Sequence, residues 1–174
     1  KNLIMNTAHN KSTCPPTGVI LAGGLSSRMG TDKAELKRNG ITMLEHCQKL
    51  LEQAGIAQTL ISRNNGEGIA DIIERSGPLG GIYSVIKTLQ AKAVLILPVD
   101  MPLLQAQDLA ILIEAGQQQN RPVCFEDCYL PLYMPLNEAV VAYLHQQLYN
   151  EGDRSVKAFI KHFSGLQIEV GQSD

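Results

Sequence analysis

Residues Ala93-Val-Leu-Ile-Leu97 form an unbroken apolar run that ends in Pro98-Val-Asp100. A strand that is apolar on both faces has to be covered on both faces, which is the habit of a parallel strand between two layers of helices. Gly18-Val-Ile-Leu-Ala22 repeats the pattern, bounded by Pro16 on one side and Gly23 on the other. It reads as a second buried strand.

Helical spacing fills the intervals. Met43, Leu44, Cys47, Leu50, Leu51 and Ala54 share one face, and Gly55 follows as a stop. Gln58 to Arg63 reads as a strand, and the Asn-Asn-Gly after it as a loop. Gly77-Pro-Leu-Gly-Gly81 reads as a turn leading into a helix over Ile82 to Gln90. A helix follows over Asp108 to Gln118, then a strand over Pro122 to Phe125 and a hairpin-like excursion over Glu126 to Tyr133. Asn137 and Asp153 are candidate caps of two further helices, and Leu166 to Val170 is a last strand. The alternation predicts one three-layer, Rossmann-like α/β domain, with a mainly parallel sheet and helices on both faces. Lys1 to Pro16 is polar and irregular and reads as a disordered lead-in to a domain over residues 17–174.

Composition excludes several classes. The formal net charge is -2, so bulk electrostatics do not suit a nucleic-acid binder. No apolar run is long enough to span a membrane, and no secretory signal is recognisable. These features point to a cytoplasmic protein. Cys14, Cys47, Cys124 and Cys128 lack zinc-ligand spacing and read as free thiols.

Leu21-Ala-Gly-Gly-Leu-Ser-Ser-Arg-Met-Gly-Thr-Asp-Lys33 leaves the end of the first strand. Gly23 and Gly24 let backbone N–H groups approach a ligand and form an anion nest. Arg28 and Lys33 add positive charge, and Ser26 and Ser27 add hydroxyls. The set suits a triphosphate, although neither the P-loop spacing nor Gly-x-Gly-x-x-Gly is present.

Asp100 stands just past the carboxyl end of the strongest strand, the edge where open α/β sheets bind ligands. It either caps the turn before Pro102 or holds Mg²⁺, which takes few protein carboxylates and completes its shell with water and phosphate oxygens. Gly77 opens a segment that is either a plain turn or a helix start close to a nucleoside. Asp71 is either a surface residue or a hydrogen-bond acceptor for base or sugar. Lys157, Lys161 and His162 form a basic face that is solvated or meets acceptor phosphates.

Leu21-Ala-Gly-Gly24, Arg28-Met-Gly30, Asp32-Lys33, Gly77-Pro-Leu-Gly-Gly81 and Asp100-Met-Pro102 resemble, in that order, the signature of the nucleotidyltransferase family. That family includes sugar-phosphate nucleotidyltransferases and molybdenum cofactor guanylyltransferases. Pro131 to Asn137 and Glu151-Gly-Asp-Arg-Ser-Val156 look most like its MobA-type subgroup. The resemblance covers most of Gly18 to Val170. It implies the nucleotide-diphospho-sugar transferase fold and transfer of GMP from GTP to molybdopterin, with release of pyrophosphate and with Mg²⁺ as cofactor.

By the same resemblance, Leu21, Ala22, Gly23 and Gly24 meet the nucleotide, and Arg28 and Lys33 meet its phosphates. Asp71 and Gly77 help hold the nucleoside, and Asp100 binds Mg²⁺. Other proteins of cofactor biosynthesis and the receiving molybdoenzymes are implied partners. A cytidylyltransferase acting on the same pterin, a sugar-phosphate nucleotidyltransferase and a non-catalytic nucleotide-binding partner remain alternative expectations. The subgroup's pattern runs on into an Asn-x-Asn-Thr-Pro segment, which the sequence does not include up to Asp174.

Overall fold

The computed structural model describes residues 14–22, 35–62, 77–126, 128–150 and 152–169. Its main sheet has six strands: β1 (Thr17–Leu21), β4 (Thr59–Ser62), β5 (Ala93–Pro98), β6 (Val123–Phe125), β7 (Cys128–Pro135) and β8 (Leu166–Ile168). They lie in the order β4-β1-β5-β7-β6-β8. β1 pairs in parallel with both β4 and β5, and β6 pairs in parallel with β8. β7 runs against both of its neighbours, β5 and β6. A separate ribbon, β2 (Lys37–Arg38) and β3 (Ile41–Thr42), turns through Asn39 and Gly40. Both turn residues have positive φ, 52° and 83°, which is why Asn-Gly stands there.

The helices are α1 (Met43–Gln53), α2 (Gly77–Ile86), α3 (Ala106–Gln119), α4 (Glu138–Tyr149) and α5 (Val156–His162). Strand alternation sorts them into two layers. Val19, Val94, Ile96, Leu132 and Met134 point to one face and pack with α2, α4 and α5. Ile20, Leu95, Leu97, Val99 and Tyr133 point to the other and pack with α1 and α3. β5 is buried from Ala93 to Leu97, as its two-faced apolar pattern requires. The expected three-layer domain with a mainly parallel sheet is therefore the fold observed.

Local chemistry explains most boundaries. The Thr42 side chain accepts a hydrogen bond from the Glu45 N–H and starts α1. Gly55, at φ 88°, follows its end. The Asn137 side chain accepts from the Val140 N–H at 2.9 Å and caps α4, as its sequence position suggests.

Two expectations are corrected. The cap of α5 is Ser155, whose hydroxyl accepts from the Ala158 N–H. Asp153 acts one step earlier, accepting from the Ser155 N–H, and that bond holds its carboxyl below the usual range. The segment Gly77 to Gly81 is not a turn but the first half of α2, which ends at Ile86. Pro78 suits a first helical turn, and Gly80 and Gly81 are buried in the helix.

Candidate functional site

The carboxyl edge of the sheet collects the candidate residues that are described. β1, β4 and β5 are parallel, so Leu21, Ser62 and Pro98 end side by side in register. Two backbone bonds extend that edge past the strands. The Ala22 N–H donates to the Ser62 carbonyl at 2.9 Å, and the Val99 N–H donates to the Leu21 carbonyl at 3.2 Å. The second bond fixes the turn that carries Asp100 beside the end of β1. Ala22 is buried, Leu21 is half-buried, and Asp100 is exposed at the rim.

The reversal at β7 brings further groups to this edge. Cys128 pairs with Phe125, and Phe125 pairs with Ile168, so the start of β7 lies level with the ends of β6 and β8. α4 leaves the opposite end of β7 and climbs back, and α5 descends to the start of β8. The connection between these helices therefore lies at the same end of the molecule as Asp100. There the Arg154 guanidinium donates to the Leu148 carbonyl at 2.8 Å, tying the connection to the end of α4.

Gly77 opens α2, which packs over β1 and β4 with its N-terminus towards the carboxyl edge. The positive end of that helix dipole favours an anion there. Gly23, Gly24, Arg28, Lys33 and Asp71 lie outside the described residues.

The donor chemistry fits a divalent cation held partly by its substrate. Among the described residues no group of three His, Cys, Asp or Glu side chains forms a cage. One exposed carboxylate at the carboxyl edge of an α/β sheet suits Mg²⁺ or Mn²⁺, hard cations whose remaining positions water and phosphate oxygens can take. Behind Asp100 stands Cys47 of α1, fully buried, with its Sγ 3.7 Å from the Val99 carbonyl oxygen. Burial, and after it the negative charge of Asp100, push this thiol up to about 12. The sequence showed Cys47 only as a helix-face position, and nothing in it pointed to Ser62, which is 3% exposed at the end of β4. Their roles arise from contacts between elements.

Among the described residues, no helix is long and apolar enough to cross a membrane.

The sequence pattern of the MobA-like NTP transferase domain matches residues 18–166. A molybdenum cofactor guanylyltransferase of Xanthomonas euvesicatoria pv. vesicatoria is 48% identical over 129 residues, covering 72% of this chain and 67% of that protein. Among solved structures, Rv0371c of Mycobacterium tuberculosis superposes with a TM-score of 0.69 at 20% identity, covering 90% of this chain and 89% of its own. Rv0371c has also been solved in complex with manganese, with a TM-score of 0.64 to this chain at 17% identity. The molybdopterin-guanine dinucleotide biosynthesis protein A of Archaeoglobus fulgidus gives 0.60 at 16% identity, covering 88% of this chain and 83% of its own.

Proposed function

Since the chain belongs to the MobA-like NTP transferase family, we propose that it is a molybdenum cofactor guanylyltransferase, transferring GMP from GTP to the terminal phosphate of molybdopterin. The observation that carries this reading is the Val99–Leu21 backbone bond, which sets the turn of Asp100 beside the strand that leads into the Gly-rich loop. Asp100 then stands beside the end of β1, and the proposed triphosphate loop follows that strand in sequence. The relative at 48% identity, which carries the guanylyltransferase name, supports the choice of nucleotide and acceptor.

The chemistry is a displacement at the α-phosphorus of GTP. An acceptor phosphate oxygen, already ionised at neutral pH, forms the new P–O bond. The bond from the α-phosphorus to the bridging oxygen breaks, and pyrophosphate leaves with that electron pair. No strong general base is needed, because the difficulty is the meeting of two anions.

Arg28, Lys33 and the N–H groups of Gly23 and Gly24 neutralise the charge that builds on the leaving group. Leu21, Ala22, Asp71 and Gly77 hold the nucleoside. Asp100 would hold Mg²⁺, which would supply positive charge to offset that of the phosphates. The manganese complex of Rv0371c, a protein of the same fold, supports a divalent cation here. The acceptor end of the site is assigned to the rim between the start of β7 and the α4–α5 connection.

Pyrophosphate release with each of the four ribonucleoside triphosphates, Mg²⁺ and molybdopterin tests the proposal. Release with GTP alone is the expected outcome. Release with CTP alone would change the product, and GTP binding without any release would reduce the chain to a binding partner.

A further inference from the structure

The proposed chemistry makes no use of Cys47, yet its surroundings are specific. Cys47 is 0% exposed on the sheet-facing side of α1. Its Sγ lies 3.8 Å from the carbonyl oxygen of Pro98 and 3.7 Å from that of Val99, the two peptide groups that precede Asp100. The Val99 N–H is held from the other side by Leu21. The turn that ends β5 is thus pinned laterally by β1 and from beneath by α1.

Buried away from water, the group packs as a thiol whose S–H faces the two carbonyl oxygens. Each S–H···O contact is weak by itself. The same sulfur also fills the space between α1 and the turn, and a cation such as Mg²⁺ demands near-ideal ligand placement. Small displacements of that turn therefore weigh on metal affinity more than on folding.

We propose that Cys47 is a positioning residue: by packing beneath the Pro98–Val99 peptides and sharing its one S–H proton between their carbonyls, it sets the place from which the Asp100 carboxylate meets its divalent cation. This rests on the reading of Asp100 as the metal ligand, and the test separates the two.

Mn²⁺ is titrated calorimetrically into protein saturated with GTP and lacking acceptor, for wild type, Cys47→Ala, Cys47→Ser and Asp100→Asn, alongside thermal unfolding of each. Asp100→Asn is expected to remove protein-dependent Mn²⁺ binding. Cys47→Ala is expected to weaken it by about tenfold, the low end for groups that support a metal ligand. Cys47→Ser keeps both a donor and nearly the same volume, and is expected to stay within about twofold of wild type even where its Tm falls. Wild-type Mn²⁺ affinity in Cys47→Ala overturns the inference. So does an equal loss in the Ala and Ser variants that merely follows their loss of Tm. Unchanged Mn²⁺ binding in Asp100→Asn overturns the metal reading itself and the role of Cys47 with it, a failure recognisable because it appears in that variant.

Discussion

Gly116 shows how one missing atom places two elements. It lies in α3, where an added Cβ would overlap the ring of Tyr133 on β7. Tyr133 is 5% exposed, so the ring has little room to withdraw. Gly116→Ala gains helix propensity of about 1 kcal/mol but forces an overlap that typically costs about 1–3 kcal/mol. The expected result is a net loss of about 1 kcal/mol in urea unfolding, and a gain in stability would mean that the ring swings aside. Gly116 could not be read this way from the sequence, because its partner belongs to another element. Cys47 was opaque for the same reason, since it occupies a core position of α1 like those of Leu50 and Leu51. The place of Asp100 was legible because the end of a two-faced apolar strand is a definite position in an α/β sheet.

Elements are legible where a local device marks them. Asn137 is such a mark, and the helix behind it begins where the side chain meets the Val140 N–H. Asn137→Ala removes this acceptor and is expected to cost about 1 kcal/mol, read as a lower urea midpoint. An unchanged midpoint would show that another group takes over the N–H. α2 was misread over Gly77 to Gly81 because glycines weaken helices in isolation, whereas here Gly80 and Gly81 lie buried within a helix that packs on the sheet. The stretch from Glu126 to Tyr133 was visible as a hairpin-like excursion after a strand. That its second strand would insert between β5 and β6 was not, because strand order is a property of pairing and leaves no local pattern. The Gly-rich loop and Asp71 remain sequence assignments, since both lie outside the described residues.

At the scale of the whole molecule, two cores flank one sheet, and each holds a buried thiol. Cys47 is pushed up to about 12 and Cys124 to about 11, from an ordinary 9.0, with burial the larger cause in both. Tyr133 and Tyr143 are raised in the same direction from 10.0, again mainly by burial. Above pH 9.0 the unfolded chain releases thiol protons that the folded protein keeps. The unfolded state then binds fewer protons, so stability must fall as pH rises. This contribution is whole below the ordinary thiol value and is lost on the way up to the folded ones. The urea midpoint is expected to drop as pH rises from about 9 towards 11, and less so in Cys124→Ser. A flat profile would mean that the buried thiols ionise as readily as free ones.

The reversal of β7 also bears on how such a protein can change over time. β1, β4 and β5 end at the rim by their carboxyl ends, whereas the far half of the rim comes from the start of β7 and the connection after α4. Residues can be gained or lost between Asn150 and Ser155 without shifting any pairing of the first three strands. A lineage can therefore refit this far half of the rim while inheriting the edge formed by β1, β4 and β5 intact.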